Sequence, residues 1–506
     1  MAIGVWISLF AYFALMIAIG IFAMRRSTSS SEDYMLGGRA LSPKVAALSA
    51  GASDMSGWLL LGLPGALYVS GLGSAWIGIG LFVGAFFNWT LVAPRLREQT
   101  VHYGNAITIP SFLANRFPTQ ALSLRTVSAI VIVIFFAVYT ASGLVAGGKL
   151  FESAFSGIFN FGGLSDYAVG IVITLGVVLA YTVVGGFLAV SMTDFVQGCI
   201  MFVALVLVPI VAFTEFDSLA QMNSAALESV PSLSESWQEL TLLGLVSSLA
   251  WGLGYFGQPH IIVRFMAIRS VKAIATARNI GMSWMLVTII GALGTGFVGI
   301  AYANQFGLQV ADPETIFIIF SEILFHPLIS GFLMAAILAA IMSTISSQLL
   351  VSASSLTEDI YRVVSNKEAS QEQTVAIGRY GVAGVALAAL LLAWDSSNSI
   401  LSLVSNAWAG FGAAFGPLVL FCLYKKNLTH KAALAGILSG AVTVLFWIYA
   451  PVLEGGATLS SVVYEIVPGF IISSLTIWGV IIFSEEPHEE VQAKFTETNK
   501  VLAELS

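Results

Sequence analysis

The sequence predicts an all-α polytopic membrane protein with about thirteen transmembrane helices. The chain is 57% hydrophobic and only 10% charged, whereas soluble globular domains are roughly 45–50% apolar and about 25% charged. Apolar runs of roughly 20 to 30 residues recur along it, each long enough to cross a hydrocarbon core of about 30 Å. Basic residues are concentrated in alternate loops. Because backbone in lipid must satisfy its own hydrogen bonds, the runs are expected to be helices.

The thirteen predicted spans cover, in chain order, residues 3–24, 44–71, 74–94, 122–149, 166–186, 189–214, 240–260, 273–303, 318–356, 375–394, 398–424, 430–451 and 463–484. The span at 318–356 is too long for one straight crossing. We therefore expect a short interfacial helix there, followed by a crossing that begins near His326–Pro327.

The basic residues of the loops predict the orientation, because Lys and Arg in short loops mark the cytoplasmic side. They follow every second span, apart from the short turn after the fifth: Arg25, Arg26, Arg39, Lys44, Arg95, Arg97, Arg116, Arg125, Arg264, Arg269, Lys272, Arg278, Arg362, Lys367, Arg379, Lys425, Lys426 and Lys431. Lys149, at the outer end of the fourth span, is the exception. We expect an outer N-terminus and a cytoplasmic C-terminus in the cell inner (plasma) membrane.

Two predicted spans are interrupted by glycines followed by a proline. The second span carries AGASDMSGWLLLGLPG, residues 50–65, and the seventh carries WGLGYFGQP, residues 251–259. Interruptions free backbone groups that lipid does not tolerate, so both segments are expected to line a protein cavity. The alternative is that the glycines only permit close helix packing.

The two interruptions lie five spans apart, so their segments enter the membrane from opposite faces. This arrangement predicts two inverted five-helix repeats that share a site near the bilayer midplane. The chain then divides into a leading helix and loop (1–43), a first repeat (44–214), an outer loop (215–239), a second repeat (240–424), two trailing helices (425–484) and a cytoplasmic tail (485–506).

Two carboxylates lie well inside predicted spans, Asp54 in the second and Asp194 in the sixth. Burying each costs roughly 2.5–3.5 kcal/mol on insertion scales, so each needs a cation, a donor network or water. A cation site would satisfy either of them. The alternatives are a hydrogen-bonded cap of the broken helix for Asp54 and a structural cap or ion pair for Asp194.

Hydroxyl side chains cluster in the ninth span at Ser343, Thr344, Ser346 and Ser347. Hydroxyl and carbonyl oxygens are the ligands that hard cations prefer, and Ser343 and Ser347 share one helix face. The cluster therefore indicates a site for a small alkali cation. The alternative is that these hydroxyls bond back to carbonyls of their own helix.

Aromatic residues flank both interruptions, at Trp58, Tyr139, Trp251, Tyr255 and Phe256. Rings with a few placed polar groups suit a small, partly apolar ligand, although aromatic residues are also common as packing. The chain has no P-loop of the GxxxxGK(S/T) type and no HExxH motif. We therefore expect neither an enzyme nor a cofactor, and no metal other than a coupling ion.

The string ALSAGASDMSGWLLLGLPGAL in the second span closely resembles the sodium:solute symporter family. The resemblance continues in collinear order in YMLGGRAL, SGLVAGGKLFES, GGFLAVSMTDFVQ, WGLGYFGQPHI, AAILAAIMSTISSQLLVSASSLTEDIY and AWAGFGAAFGP. It implies a LeuT-type fold of two inverted five-helix repeats, sodium as the coupling ion and no obligatory protein partner.

The resemblance also implies site residues. The family's principal sodium site corresponds to the carbonyls of Ala52, Met55 and Ala340 and the hydroxyls of Ser343 and Thr344, with Asp54 as the carboxylate that supports it. A second sodium site found in some members corresponds to Asp194, Ser346 and Ser347. Members that transport L-proline match at Ser56, Gly57, Trp58, Tyr139, Trp251, Tyr255 and Pro259.

Two positions depart from the proline-transporting pattern. Thr140 and Ser347 stand where such a member carries Cys, which leaves the stoichiometry open between one and two sodium ions. The nearest alternative to a sodium-coupled L-proline symporter is a symporter of the same family for another amino acid, a carboxylate or a sugar. A transporter-like sensor would carry a long signalling extension, whereas only about 22 residues follow the last span.

Overall fold

The fold is described from a computed structural model that covers residues 2–26, 31–117, 121–159, 162–229, 241–361 and 371–505. Within these ranges the chain is helical almost throughout, with one isolated backbone bridge between Leu41 and Ile268. Arg362 and Lys367, which we expect in a basic loop, lie outside the described residues. So do residues 230–239 of the expected outer loop.

Twenty α-helices occur within the described ranges. They are α1 Ile3–Arg26, α2 Ser31–Leu36, α3 Pro43–Asp54, α4 Leu63–Ser70, α5 Ala75–Phe87, α6 Ala93–His102, α7 Ile109–Asn115, α8 Ala121–Ala154, α9 Asp166–Phe213, α10 Leu219–Ser229, α11 Leu242–Leu249, α12 Pro259–Ala267, α13 Ile274–Phe306, α14 Ile316–Ile323, α15 Pro327–Ser354, α16 Gln371–Leu392, α17 Ile400–Tyr424, α18 His430–Tyr449, α19 Ile466–Phe483 and α20 Glu489–Leu505.

The all-α fold class is confirmed, whereas the number of crossings stays a prediction. In the described part of the chain, nine helices are long and apolar enough to cross a membrane, and shorter apolar helices cover residues 166–180, 242–257 and 376–392. The long predicted span divides as expected, because α14 ends at Ile323 and α15 begins at Pro327.

The fifth and sixth predicted spans form one long helix, α9, which is kinked at Gly186. This residue has a φ of 61° and a ψ of −171°, a conformation that only glycine adopts readily. A Cβ atom here would also lie 2.8 Å from the ring of Tyr34. The kink therefore separates the two spans at the position where the sequence divides them.

Both predicted helix interruptions are present. Helix α3 ends at Asp54, and a π-helical turn at Trp58–Gly62 follows before α4 begins. In the second interruption a 3-10 helix covers Ala250–Gly257, Gln258 is extended, and α12 begins at Pro259. Proline suits the first turn of a helix because its missing N–H has no partner there.

Glycines bring α5 into direct contact with the second interruption. A Cβ atom on Gly84 would lie 2.2 Å from the carbonyl oxygen of Gly252, and one on Gly252 would lie 2.3 Å from the carbonyl oxygen of Gly80. The two backbones can approach this closely only because side chains are missing. The close packing expected as an alternative role for the glycines therefore coexists with the break.

The expected tail forms helix α20, which packs back against α6. Arg95 donates a hydrogen bond of 2.6 Å to Oδ1 of Asn499. The guanidinium of Arg116 lies 4.8 Å from the ring centroid of Phe495, and Lys494 lies 5.3 Å from that of Tyr103. These contacts give the tail a fixed position on the body of the protein.

Candidate functional site

Four oxygen atoms converge where the end of α3 meets the middle of α15. The Ser343 hydroxyl lies 2.8 Å from the carbonyl oxygen of Ala52 and 3.1 Å from that of Ala340. The Thr344 hydroxyl lies 3.4 Å and 3.2 Å from the same two oxygens. Both side chains are buried. We call these four residues the oxygen group.

The oxygen group joins the two roles that the sequence left open for the hydroxyls. Ala340 belongs to the same helix as Ser343 and Thr344, so each hydroxyl is within hydrogen-bonding distance of a carbonyl oxygen of its own helix. The carbonyl of Ala52, however, comes from the broken helix. Four hard oxygen ligands from two helices form a set that a small cation could bridge.

The backbone N–H of Met55 and the hydroxyl of Ser346 make hydrogen bonds outside the oxygen group. The N–H of Met55 donates to the carbonyl of Gly51 at 2.8 Å, and its side chain is buried. The Ser346 hydroxyl donates to the carbonyl of Ser343 at 3.1 Å, which is the back-bonding expected as the alternative for this cluster.

Asp54 is the polar centre of the first interruption. The Tyr255 hydroxyl donates a hydrogen bond to its Oδ2 atom. Its backbone carbonyl oxygen accepts from the N–H of Ser56 at 2.9 Å, Nε1 of Trp58 at 3.2 Å and the hydroxyl of Tyr139 at 3.4 Å. Its Oδ1 atom is buried and has no hydrogen-bond partner among the described residues. A buried carboxylate oxygen without a partner is costly, so this atom is suited to a cation or an incoming donor.

Four of the five aromatic residues expected to line a ligand site lie close together, since Trp58, Tyr139 and Tyr255 all bond to Asp54 and Trp251 lies beside Trp58. The rings of Trp58 and Trp251 are 6.3 Å apart, and Trp251 stacks on Tyr464 at 5.2 Å. Tyr139 makes an edge contact with His260 at 5.6 Å. Both ring nitrogens of His260 are buried and have no hydrogen-bond partner within the described ranges.

Ser56, Gly57 and Pro259 shape the two interruptions. The Ser56 hydroxyl accepts from the N–H of Trp58 at 3.4 Å, and Pro259 begins α12. A Cβ atom on Gly57 would lie 2.8 Å from that of Ala146 in α8 and 3.2 Å from Ile341 in α15. Gly57 therefore allows two neighbouring helices to approach the first interruption closely.

A small cavity lies beside Asp54 and contains a polar residue that the sequence analysis missed. Its lining includes Asp54, Asn88, Trp89 and Tyr255. Both polar atoms of the buried Asn88 side chain lack a hydrogen-bond partner among the described residues. Asn88 begins a π-helical turn, and such turns often occur at functional sites.

Asp194 and Ser347 lie together, but they share their site with an arginine. Oδ2 of Asp194 lies 2.8 Å from the Ser49 hydroxyl, 3.1 Å from Nη2 of Arg264 and 3.5 Å from the Ser347 hydroxyl. The same Nη2 atom donates to Ser347 at 2.6 Å. The third residue expected at this site, Ser346, instead donates its hydroxyl to the carbonyl of Ser343.

Arg264 corrects one expectation from the loop charges. We expect it in a cytoplasmic loop, but it lies inside α12 and its side chain has no exposed surface. Its ion pair with Asp194 compensates the two buried charges. The ion pair is the structural role considered as the alternative for Asp194. The signal in the sequence is the position of Arg264 only five residues after the proline of the second interruption.

Comparison with known proteins identifies related sequences over most of the chain. The profile of the sodium:solute symporter family matches residues 34–440. The chain is 53% identical over 493 residues to the high-affinity proline transporter PutP of Bacillus subtilis, covering 97% of this chain and 100% of that one. It is 52% identical over 482 residues to the osmoregulated proline transporter OpuE of the same organism, covering 95% of each.

A sodium/proline symporter of Staphylococcus aureus is 48% identical over 501 residues, which cover 98% of this chain and 95% of that one. Among solved structures, a sodium-coupled sialic acid symporter in a substrate-bound outward-open state superposes with a TM-score of 0.78. That match has 18% identity and covers 96% of this chain and 99% of the other. The nucleobase-cation transporter MHP1 superposes with a TM-score of 0.52 and 13% identity, covering 92% and 97%. These similarities identify the LeuT-type fold.

Proposed function

Because the chain belongs to the sodium:solute symporter family, we propose that it is a secondary active transporter that couples inward sodium flow to the uptake of L-proline. The observation that carries the sodium half of the proposal is the oxygen group, in which hydroxyls of α15 meet a carbonyl of the broken helix. The proline half rests on the relatives named as proline transporters at 48–53% identity.

The principal sodium site is proposed at the carbonyls of Ala52, Met55 and Ala340 and the hydroxyls of Ser343 and Thr344. Each of the two hydroxyls lies within hydrogen-bonding distance of the carbonyl oxygens of Ala52 and Ala340. A sodium ion at this position would replace those hydrogen bonds with contacts to the same oxygens, which are hard ligands. Its charge would also be favoured by Asp54, which ends the same broken helix.

The proline site is proposed between the two interruptions, at Ser56, Gly57, Trp58, Tyr139, Trp251, Tyr255 and Pro259. The ring of proline is apolar and would pack against the indoles of Trp58 and Trp251. Its ammonium would donate to buried acceptors such as Oδ1 of Asp54, which has no partner among the described residues, and its carboxylate would accept from freed backbone N–H groups. Sites with mostly aromatic walls and a few polar groups bind small ligands in this way.

Coupling is proposed because Ala52 lies on the same interrupted segment as Ser56, Gly57 and Trp58 of the proline site. Sodium bound from the outside would fix the end of α3 against α15. The adjoining interruption would then be held in place, and the substrate site would be assembled next to the sodium site. Occlusion and inward opening would then release both ligands. One cation crossing about 100 mV gains roughly 2.3 kcal/mol, and a tenfold sodium gradient adds about 1.4 kcal/mol. Together they support about 500-fold accumulation of a zwitterion.

The protein is a multi-pass membrane protein, and we place it in the cell inner (plasma) membrane with its N-terminus outside and its C-terminus in the cytoplasm. The division into repeats at 44–214 and 240–424 is proposed with this orientation. No enzymatic activity, cofactor or obligatory protein partner is assigned.

Reconstituted proteoliposomes test the proposal directly. Purified protein with sodium outside should accumulate labelled L-proline above the external concentration, and an equal potassium gradient should not drive uptake. Counterflow against a panel of unlabelled amino acids, carboxylates and sugars should show proline as the most effective solute. Uptake that is indifferent to sodium, or a different solute that exchanges while proline does not, would refute the assignment.

A further inference from the structure

Tyr464 lies outside the two proposed repeats but contacts a residue of the proposed proline site. It precedes α19, the second of the two trailing helices. Its ring stacks on the indole of Trp251, with the ring centroids 5.2 Å apart and an angle of 27° between the ring planes. Both residues are buried. A stacked pair of rings therefore connects the start of a trailing helix to the second interruption.

Two hydrogen bonds hold Tyr464 in place. Its hydroxyl donates to the carbonyl of Ser405 in α17 at 2.8 Å, and its backbone N–H donates to the hydroxyl of Ser247 in α11 at 3.0 Å. The two bonds fix the tip of the side chain and the backbone from which it extends. The ring of Tyr464 is therefore a fixed surface against which the indole of Trp251 packs.

The segment that leads to Tyr464 is tied to the other trailing helix. Nε1 of Trp447 in α18 donates to the carbonyl of Val463 at 3.1 Å. The hydroxyl of Ser460 donates to the carbonyl of Trp447 at 3.2 Å. The position of Tyr464 is thus determined by both trailing helices as well as by the second repeat.

The indole of Trp251 contacts two rings. Nε1 of Trp408 donates at 2.7 Å to the backbone carbonyl of Trp251, so this bond fixes the main chain and not the indole. The indole itself lies 6.3 Å from the ring of Trp58 and 5.2 Å from that of Tyr464. A stacked aromatic pair changes an equilibrium by roughly three- to tenfold. Loss of the Tyr464 ring would therefore allow the indole to leave the position in which it faces the substrate.

We propose that Tyr464 is a positioning residue that holds the indole of Trp251 against the substrate, so that a helix outside the repeats sets the affinity for proline. The inference rests on the proposed function, in which the indole packs against the ring of proline. It adds to that function a residue that acts through Trp251 and comes from the trailing part of the chain.

A fixed indole also limits the size of the substrate ring. An apolar wall discriminates against one additional methylene group by roughly tenfold or more, provided that the wall does not retreat. Tyr464 prevents that retreat from behind the indole. Without its ring, the site should accept the six-membered homologue of proline, piperidine-2-carboxylate, more readily relative to proline.

Binding of labelled proline at saturating sodium and sodium-driven uptake in proteoliposomes test the role of the ring. Tyr464→Leu should raise the half-saturating proline concentration roughly three- to tenfold and leave the maximal uptake rate within about twofold. Tyr464→Phe keeps the ring and should recover most of the affinity. Tyr449→Leu is the matched control, because Tyr449 is an exposed tyrosine at the end of α18. This control should bind proline like the unmodified protein.

Competition between the two ring sizes tests the selectivity. The ratio of the inhibition constants of piperidine-2-carboxylate and proline should fall at least about threefold in Tyr464→Leu and stay unchanged in Tyr464→Phe. In a Trp251→Leu background, Tyr464→Leu should cause no further loss of proline affinity, because it acts through the indole. A normal proline constant and ratio in Tyr464→Leu, or an equal loss in Tyr464→Phe, overturns the proposal. If the unmodified protein does not move proline with sodium, the proposed function itself is refuted.

A structure of the unmodified protein with sodium and proline bound decides the question if Tyr464→Leu does not fold. The indole of Trp251 should contact both the ring of proline and the ring of Tyr464. An indole that contacts only one of the two rings overturns the proposal.

Discussion

Tyr255 donates a hydrogen bond from its hydroxyl to the carboxylate of Asp54. Tyr255 belongs to the second helix interruption and Asp54 ends the helix before the first. The bond therefore links the two broken helices directly, next to the carbonyls and rings proposed to hold sodium and proline. A change in one interruption should be transmitted to the other through this pair.

Tyr255→Phe should weaken the binding of both ligands while leaving the protein folded. A hydrogen bond to a charged group contributes roughly 1.5–3 kcal/mol, so we expect the half-saturating concentrations of sodium and proline to rise at least about tenfold. Initial uptake rates over a matrix of sodium and proline concentrations measure both constants.

Tyr424→Phe is the matched control, because the Tyr424 hydroxyl donates to the carbonyl of Leu91 at 2.9 Å, outside the candidate site. It should transport like the unmodified protein. A Tyr255→Phe protein with normal sodium and proline constants would show that the link carries no coupling.

Ser343→Ala and Thr344→Ala should each raise the sodium concentration needed for half-maximal uptake, by roughly tenfold, because each removes one of the proposed oxygen ligands. Thr344→Ser keeps the hydroxyl and should restore normal sodium dependence. Ser354→Ala is a control on the same helix, because the Ser354 hydroxyl donates to the carbonyl of Leu350 in that helix at 2.9 Å. Unchanged sodium dependence in both alanine variants would remove the oxygen group as the sodium site.

The helix interruptions could be predicted because their cause is local. Both interruptions lie where the sequence has glycines followed by a proline. The pattern does not end every helix, because α17 continues through Gly410, Gly412, Gly416 and Pro417. The kink at Gly186 follows the same logic, since a single glycine provides the positive φ. The hydroxyls of the oxygen group were expected from their cluster in the sequence, whereas its carbonyl members Ala52 and Ala340 came from the family resemblance.

The charges could not be placed as well, because their surroundings depend on residues far away in the sequence. The sequence pattern predicts a loop position for Arg264, because nothing local indicates its contact with Asp194, which lies 70 positions earlier. Lys149, the exception to the expected charge pattern, bonds to Asp312 and Glu314 more than 160 positions later. Asn88 attracts no notice in the sequence, because only the packed helices reveal that its amide is buried without a partner among the described residues.

Gly84→Ala should destabilise the protein strongly. The added methyl group would lie 2.2 Å from the carbonyl oxygen of Gly252, so α5 would have to move away from the second interruption. Overpacking of this kind typically costs about 1–3 kcal/mol or more. The thermal unfolding midpoint in detergent should fall, and sodium-driven uptake should fall with it.

Gly176→Ala provides a control of opposite sign. Gly176 is also helical, but a Cβ atom there would meet no heavy atom within 4 Å. Alanine in place of a helical glycine is favoured by about 0.5–1 kcal/mol, so the midpoint should stay or rise. Equal effects of the two substitutions would show that contact between α5 and the interruption is not tight.

Glu314 connects Lys149 to the start of α17. Its carboxylate lies 2.7 Å from Nζ of Lys149 and accepts from the backbone N–H groups of Ile400 and Leu401, each at 3.1 Å. A carboxylate at a helix N-terminus is favoured by the helix dipole. Glu314→Ala would leave Lys149 with Asp312 and would remove the acceptor of the two N–H groups. Because a buried donor that loses its partner costs about 1–3 kcal/mol, we expect a loss of about that size for each N–H group that water cannot reach.

Asp312→Ala separates the buried pair from the exposed one, because Asp312 contacts the same lysine at 2.6 Å but its side chain is 40% exposed, against 10% for Glu314. Exposed ion pairs typically contribute about 1 kcal/mol or less. The unfolding midpoint should therefore fall several times further in Glu314→Ala than in Asp312→Ala. Glu314→Gln should lie between them, because its amide oxygen can still accept from α17 while its charge is lost. If the two alanine variants unfolded at the same temperature, burial of Glu314 would not be the source of its contribution.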